Sequence, residues 1–249
     1  MIVRTDAIVL RSFDYGETSR IVTLFTRQHG VIGAMAKGAR RPTSTFGSTL
    51  QPTSYVQAVY YYKPERGLQT LKEVSHLRRF PRLSTGLDRV TLALRALEVT
   101  RSLVDEGEPN PLILEALART LTYLDAADER LGNALLWYEL RLMTLLGFSP
   151  DLQREVLDAL PEDGGVLLLD SGAVREFADG VRQQAASRAA LRAFAVFARA
   201  NLETAGRMRL APEAREEVET LVDLYLAVHT ESRIPDRVRK VASEIGAGS

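Results

Sequence analysis

The chain has 249 residues, 45% hydrophobic and 26% charged, a composition that supports a folded core and points to neither a disordered chain nor a membrane protein. No apolar run reaches the ~20 residues needed to cross a bilayer, and the alternating start MIVRTDAIVLRSFD lacks the apolar centre of a secretory leader, so the expected location is the cytoplasm. Cysteine is absent, which excludes disulfides, thiolate zinc sites and thiol nucleophiles, and His29, His76 and His229 are too scattered for a histidine metal centre.

The net charge of zero conceals a division. Residues 1–82 carry 13 Lys and Arg against 5 Asp and Glu, a net of +8, and the remainder carries 19 against 27, a net of −8. Such asymmetry points to a basic surface offered to an anionic partner by the first part alone, with differing solvated faces as the plainer explanation.

In chain order, five short β-rich runs come first. They are centred on Ile8 and Leu10, on Ile21 to Phe25 in SRIVTLFT, on Val31 to Ala36 in GVIGAMA, on Tyr55 to Tyr62 in YVQAVYYY, and on Leu68 to Val74 in LQTLKEV. DYGET, RQHG and KPERG carry the punctuation of tight turns, and a longer polar stretch separates the third run from the fourth. Five strands in mostly meander order predict an oligonucleotide-binding (OB) barrel over residues 1–80, with a barrel of the SH3 type as the rival topology.

FPRLS, around Pro81, marks the predicted boundary, and residues 81–249 read as a helical bundle. Leu87, Val90, Leu94, Leu97 and Arg101 define the expected inner face of the first helix. Asn110 with Pro111 starts the second, and a third ends at Gly147. After an irregular middle, SRAALRAFAVFARANLETAG and PEAREEVETLVDLYLAVHT each read as one helix, and IPDRVRKVASEIG as a shorter last one. The fold class is therefore α+β, a barrel followed by helices.

MAKGARRP, residues 35–42, closes the third strand. Gly38 permits a tight turn, and Lys37, Arg40 and Arg41 supply charge for phosphate contacts, which need only cations within reach; a solvated turn is the other reading. Arg20 and Arg27, at the two ends of the second strand, extend that track, and Lys63, Arg66, Lys72, Arg78 and Arg79 add charge later. Tyr60 and Tyr62 share one strand face and Tyr61 the other, so the three divide between core and surface; Phe13 and Tyr15 are open to either role. No phosphate loop occurs, Glu216, Glu217 and Glu219 read as a solvated helix face, and Trp137 and Tyr138 as core.

The ordered series Tyr15, Glu17, Ser19, Ile21, Val22, Leu24 and Thr26, then Gly30, then residues 36–41 (AKGARR), then Leu50, Gln51 and Pro52 resembles the RecO family of bacterial recombination mediators. The likeness extends more loosely through LLWYELRLMTLLGFSPDL. It implies an OB barrel followed by a helical domain in a cytoplasmic, nucleoid-associated protein with no catalytic residues, cofactor or membrane association. It also implies binding of single- and double-stranded DNA and annealing of complementary strands. The implied partners are RecR, the C-terminal tail of single-strand-binding protein and, indirectly, RecA. Lys37, Arg40, Arg41, Arg20, Arg27 and Lys72 are the expected DNA-binding residues.

Two other classes stay open: an adaptor with no DNA binding, and a metal-dependent nuclease, for which Asp6, Asp14, Glu17, Glu65 and Glu73 are spread over separate elements. Many members of the resembled family hold zinc in two Cys-x-x-Cys pairs. In this chain, over about residues 151–174, Glu155 and Asp158 fall at the first pair and Leu168 and Ser171 near the second, which predicts a metal-free module retaining a hairpin around GGVLLLDSG. Elemental analysis of the purified protein should find no stoichiometric zinc; one zinc per chain would overturn this reading.

Overall fold

The computed structural model describes residues 1–230; the last predicted helix, IPDRVRKVASEIG, lies outside them. The chain divides into two compact units, Met1–Tyr138 and Glu139–Ser249. The first begins with five strands, β1 (Ile2–Tyr15), β2 (Ser19–Thr26), β3 (Gly30–Ala36), β4 (Tyr55–Tyr61) and β5 (Leu68–Arg78), closed into a barrel in the order β1-β2-β3-β5-β4. All neighbours are antiparallel except β3 and β5. This Greek-key order decides for the OB barrel over its SH3-type rival.

Strand β1 is longer than its apolar run because it serves two neighbours, pairing with β4 through Ile2 to Ile8 and with β2 through Ala7 to Tyr15. The change of partner is marked by a bulge: Val9 faces Leu24 and Arg11 faces Thr23, leaving Leu10 as the extra residue. Val3, Ala7, Val9, Val22, Leu24, Ile32, Ala34, Ala36, Val56, Ala58 and Tyr60 fill the interior, joined from the loop between β3 and β4 by Phe46 and by Leu50 of the short 3₁₀ turn that follows it, Gly47–Leu50. That loop therefore plugs the barrel.

A 3₁₀ turn at Pro81–Ser84 leads to α1 (Leu87–Leu103), α2 (Pro111–Ala126) and α3 (Leu131–Leu145). Asp125 accepts the backbone N–H groups of Arg82 (2.7 Å) and Leu83 (3.1 Å), capping that turn from a distant part of the chain. Asn110 caps α2 by accepting from the Ile113 N–H at 3.2 Å, with Pro111 in the first turn, as its sequence predicts. The inner face of α1 differs from the leucine stripe. Ala93, Ala96, Leu97, Val99, Thr100 and Leu103 are buried, whereas Leu87 is 81% and Leu94 44% exposed. Small residues let the helix approach its neighbours closely, and Thr100 Oγ1 lies 2.5 Å from the Tyr138 hydroxyl. Trp137 and Tyr138 are core residues.

In the second unit α3 ends where the chain turns at Gly147, with the Phe148 N–H donating to the Met143 carbonyl at 2.9 Å. A short helix α4 (Arg154–Ala159) precedes a three-stranded sheet of β6 (Gly165–Leu168), β7 (Val174–Arg175) and β8 (Gln183–Ala186), in the order β7-β6-β8. The hairpin around GGVLLLDSG is therefore present, joined by a strand, QQAA, that lacks any β-branched residue to announce it. The stretch read as one helix is two, α5 (Arg188–Arg199) and α6 (Leu202–Arg207). The break falls at Asn201, whose side chain accepts from the Thr204 N–H at 2.8 Å and so starts a new helix instead of continuing the old one. Helix α7 (Pro212–Thr230) packs on α5, with Tyr225 edge-on to Phe194.

Gly30 is a position where only glycine fits. Its φ is +59°, and a Cβ there would lie 2.1 Å from the Glu108 carbonyl oxygen, beside the bridge that joins Val31 to Glu106. Gly30→Ala should lower unfolding stability by about 3 kcal/mol, read as a reduced urea midpoint at unchanged m value.

Candidate nucleic-acid interface

Residues 37–41 leave β3 through consecutive turns. Gly38 has φ +71°, the Arg41 N–H donates to the Gly38 carbonyl at 3.0 Å, and the Arg40 N–H donates to Thr18 O at 2.9 Å, which binds this loop to the turn between β1 and β2. Arg40 also donates from Nη1 to Gly16 O at 3.0 Å. Asp14 then holds two guanidiniums, with its Oδ1 2.9 Å from Arg20 Nε and its Oδ2 3.1 Å from Arg40 Nε. Exposed pairs of this kind contribute about 0–1 kcal/mol, so their effect here is orientation. Lys37 and Arg41 are exposed and make no ion pair among the described residues, so four cations gather around one shared carboxylate, with Glu17 in the adjoining turn.

The neighbouring face adds aromatic surface. Past the Leu10 bulge, Arg11, Phe13 and Tyr15 lie opposite Thr23, Ile21 and Ser19, and Ile21 and Thr23 lie opposite Met35 and Gly33. The alternate residues along the same strands, Val22, Leu24 and Ala34, point inward, so this set points out. Phe13 is 42% and Tyr15 52% exposed, and the Arg11 guanidinium sits 5.5 Å from the Phe13 ring centroid. Exposed aromatic rings beside cations are the elements of a stacking platform for unpaired bases. Strict alternation along β1 would turn Phe13 and Tyr15 inward with Val3, Ala7 and Val9; only the bulge reverses them, which is why the sequence leaves both open.

The other expected residues lie apart. Arg27, at the opposite end of β2, is 2.9 Å from Glu115 on α2 and 3.5 Å from Asp6, and its pKa is raised, chiefly by the hydrogen bond to Glu115. It works as a strut between barrel and helix. Lys72 is the extra residue of a second bulge, since Val59 faces Glu73 and Tyr60 faces Leu71; it is exposed, 3.0 Å from Glu73, whose hydrogen bond raises its pKa. It lies two residues past Thr70, the last β5 residue paired with β3. Buried Gln69 shapes the turn between β4 and β5 by donating to Lys63 O (3.0 Å) and Arg66 O (2.6 Å), leaving the Lys63 and Arg66 side chains exposed.

The tyrosine run divides three ways. Tyr60 is fully buried, its hydroxyl 2.7 Å from His29 Nδ1, and burial pushes its pKa up to about 12. Tyr62 stacks on His29 with centroids 3.8 Å apart, while Tyr61 is 44% exposed. Burial also lowers the His29 pKa, as suits an imidazole in an aromatic corner of the barrel.

Several of the carboxylates singled out from the sequence are already engaged. Asp6, Asp14 and Glu73 are each engaged with a cation, Glu217 accepts from the Ser187 N–H at 3.1 Å, and Glu219 pairs with Arg215 at 2.6 Å. No group of three His, Asp or Glu side chains able to hold a metal ion occurs among the described residues. The positions that match the zinc module do not fit a zinc ion. Asp158 lies 3.5 Å from Arg154, the Leu168 N–H donates to Ala173 O at 2.8 Å within the β6–β7 hairpin, and a leucine offers no lone pair. Leu157, Leu160, Leu167, Leu169 and Val174 are buried there and supply apolar packing instead.

In the second unit, Leu157, Ala195, Val196 and Ala200 floor a groove of about 490 Å³ between α4 and α5, edged by Arg154, Arg192 and Arg199 with Asp158. Arg192 donates to Leu157 O at 3.1 Å, and Arg199 donates to Leu152 O. Nothing in the sequence marks this groove, because its cations come from two helices separated by the sheet.

A closed barrel of this topology, basic along one rim and followed by helices, defines a protein built on the OB fold. Residues 1–80 match the family model described as Recombination protein O N terminal and residues 84–237 the one described as Recombination protein O C terminal, so the chain belongs to the RecO family of DNA repair and recombination proteins. The DNA repair protein RecO of Salinibacter ruber is 48% identical over 246 residues, covering 98% of this chain and 94% of that protein. Those of Bacillus pumilus and Prosthecochloris aestuarii are 28% and 24% identical, covering 90% and 98% of this chain and 88% and 98% of their own lengths. No helix among the described residues is long and apolar enough to cross a membrane.

Proposed function

We propose that this chain is a non-enzymatic mediator that binds single- and double-stranded DNA through the barrel and anneals complementary strands, acting in the cytoplasm at the nucleoid. The observation that carries the reading is the cluster of Lys37, Arg40, Arg41 and Arg20 at the rim of a face that also exposes Phe13 and Tyr15. Cations spaced along a loop capture phosphates without reading sequence, so the bases stay free to pair with an incoming strand. Annealing by this route needs no hydrolysis and no cofactor.

RecR and, through it, RecA are the partners expected from family membership. For the C-terminal tail of single-strand-binding protein, which is acidic and apolar in the resembled family, the α4–α5 groove offers the matching chemistry: an apolar floor with three arginines at its edge. Arg199 belongs to that edge; Arg207 and Arg209, further along the chain, do not line it.

Two measurements test the two surfaces. DNA affinity should fall steeply with salt, and joint replacement of Lys37, Arg40 and Arg41 by Ala should weaken oligonucleotides of unrelated sequence alike while reducing the slope of log K against log salt by about 2 for single strands. A gel shift showing no DNA binding even at low salt would favour the adaptor reading, and metal-dependent degradation of DNA would revive the nuclease. Val196→Glu, at an exposed floor position, should reduce binding of a tail peptide at least tenfold with the fold and DNA affinity unchanged; undiminished binding would move the tail elsewhere.

A further inference from the structure

A second polar cleft lies at the far end of β5, in the first unit. It encloses about 290 Å³ and is walled by Ser48, Thr53 and Ser54 from the loop before β4 and by His76, Arg78 and Arg79 from β5. None of its lining residues is acidic. Arg78 and Arg79 make no ion pair among the described residues, and the Arg78 guanidinium rests 5.8 Å from the Phe80 ring centroid, an apolar support that leaves its N–H groups unused. His76 Nε2 lies 3.3 Å from Ser48 Oγ, while its Nδ1 is buried with no hydrogen-bond partner. Thr53 has φ +73°, a conformation rarely adopted by a β-branched residue and found where surrounding structure imposes it.

Two unpaired guanidiniums, several hydroxyls, an unsatisfied imidazole nitrogen and no carboxylate form a site for an oxyanion rather than for a cation or an apolar group. The site is separate from the loop at residues 37–41, none of which lines it. Pairing between β3 and β5 ends with Met35 opposite Thr70. Arg78 lies eight residues beyond Thr70, at the last position of β5.

We propose that this cleft binds a phosphodiester group of a second nucleic-acid strand while the first lies against Lys37, Arg40 and Arg41, an inference that rests on the DNA-binding reading above. A barrel that grips two backbones at separate stations brings two strands together without covering the bases of either. Free inorganic phosphate shares the chemistry, and the experiment separates the two sources.

The test uses the full chain in four forms: wild type, R78A/R79A, R78K/R79K and the triple variant at Lys37, Arg40 and Arg41. Oligonucleotide binding is followed by anisotropy against salt, and the His76 ring signals by NMR. R78A/R79A should lower the salt slope by about 1.4 for single strands, as expected for two phosphate contacts, and R78K/R79K should restore it, which excludes simple misfolding. The His76 signals should move when oligonucleotide binds to the wild type and to the triple variant but not to R78A/R79A. A wild-type slope in R78A/R79A with His76 unmoved by DNA overturns this inference while the triple variant still reports on the first site. His76 signals that move with inorganic phosphate but not with oligonucleotide overturn it in favour of the free ion. Failure of the wild type to bind DNA at all defeats the functional reading itself.

Discussion

Strand β1 has to serve two neighbours, and the barrel depends on how it does so. Its first half pairs with β4 and its second with β2, and the one extra residue at Leu10 accommodates the change of partner. Closure follows, with β3 and β5 completing the ring in parallel. Because a strand's faces alternate, that extra residue also reverses the inside and outside of everything after it. The interior keeps Val3, Ala7 and Val9, and the surface gains Arg11, Phe13 and Tyr15. One bulge therefore links the stability of the barrel to the chemistry of its outer face.

Electrostatics builds on that frame through few, shared acids. The barrel half has a net charge of +8, yet Asp14, Asp6 and Glu73 each hold a cation in a defined place. Asp14 aims Arg20 and Arg40 across the turn between β1 and β2, and Asp6 with Glu115 commits Arg27 to holding α2. Among the described residues, Lys37, Arg41, Lys63 and Arg66 make no ion pair and lie in the loops that flank the barrel face, while Arg78 and Arg79, also without an ion pair, lie at the end of β5. A surface made in this way attracts a polyanion from every side but orders only part of its own charge beforehand, which suits a ligand recognised by backbone and not by sequence.

Local chemistry was legible in the sequence, and partnership was not. Alternation with turn glycines located all five strands of the barrel, Asn110 with Pro111 marked a helix start, and the ordered motif through residues 36–41 pointed to the family. The inner face of α1 was read only in part: Leu97 of the predicted stripe is buried, but Leu87 and Leu94 stay in water, while alanines and Thr100 make the close contact. Asn201 broke a helix whose apolar period runs on across it, and QQAA became a strand only because β6 offered an edge. Of the six cations expected at the interface, Arg20 and Arg40 share one acid, Lys37 and Arg41 stand free beside them, Lys72 is aimed by a bulge, and Arg27 faces α2. Such distinctions depend on register and on residues distant in the chain, which no short window contains.

The central claim is that phosphate capture on the basic barrel, with bases left open, is sufficient to pair strands. Its most direct test is the rate at which fluorescent complementary strands, precoated with the cognate single-strand-binding protein, anneal when the chain is added with and without RecR. The account predicts acceleration without nucleotide or metal, declining steeply as salt rises from about 50 to about 200 mM. An absence of acceleration, or a rate indifferent to salt, would contradict it.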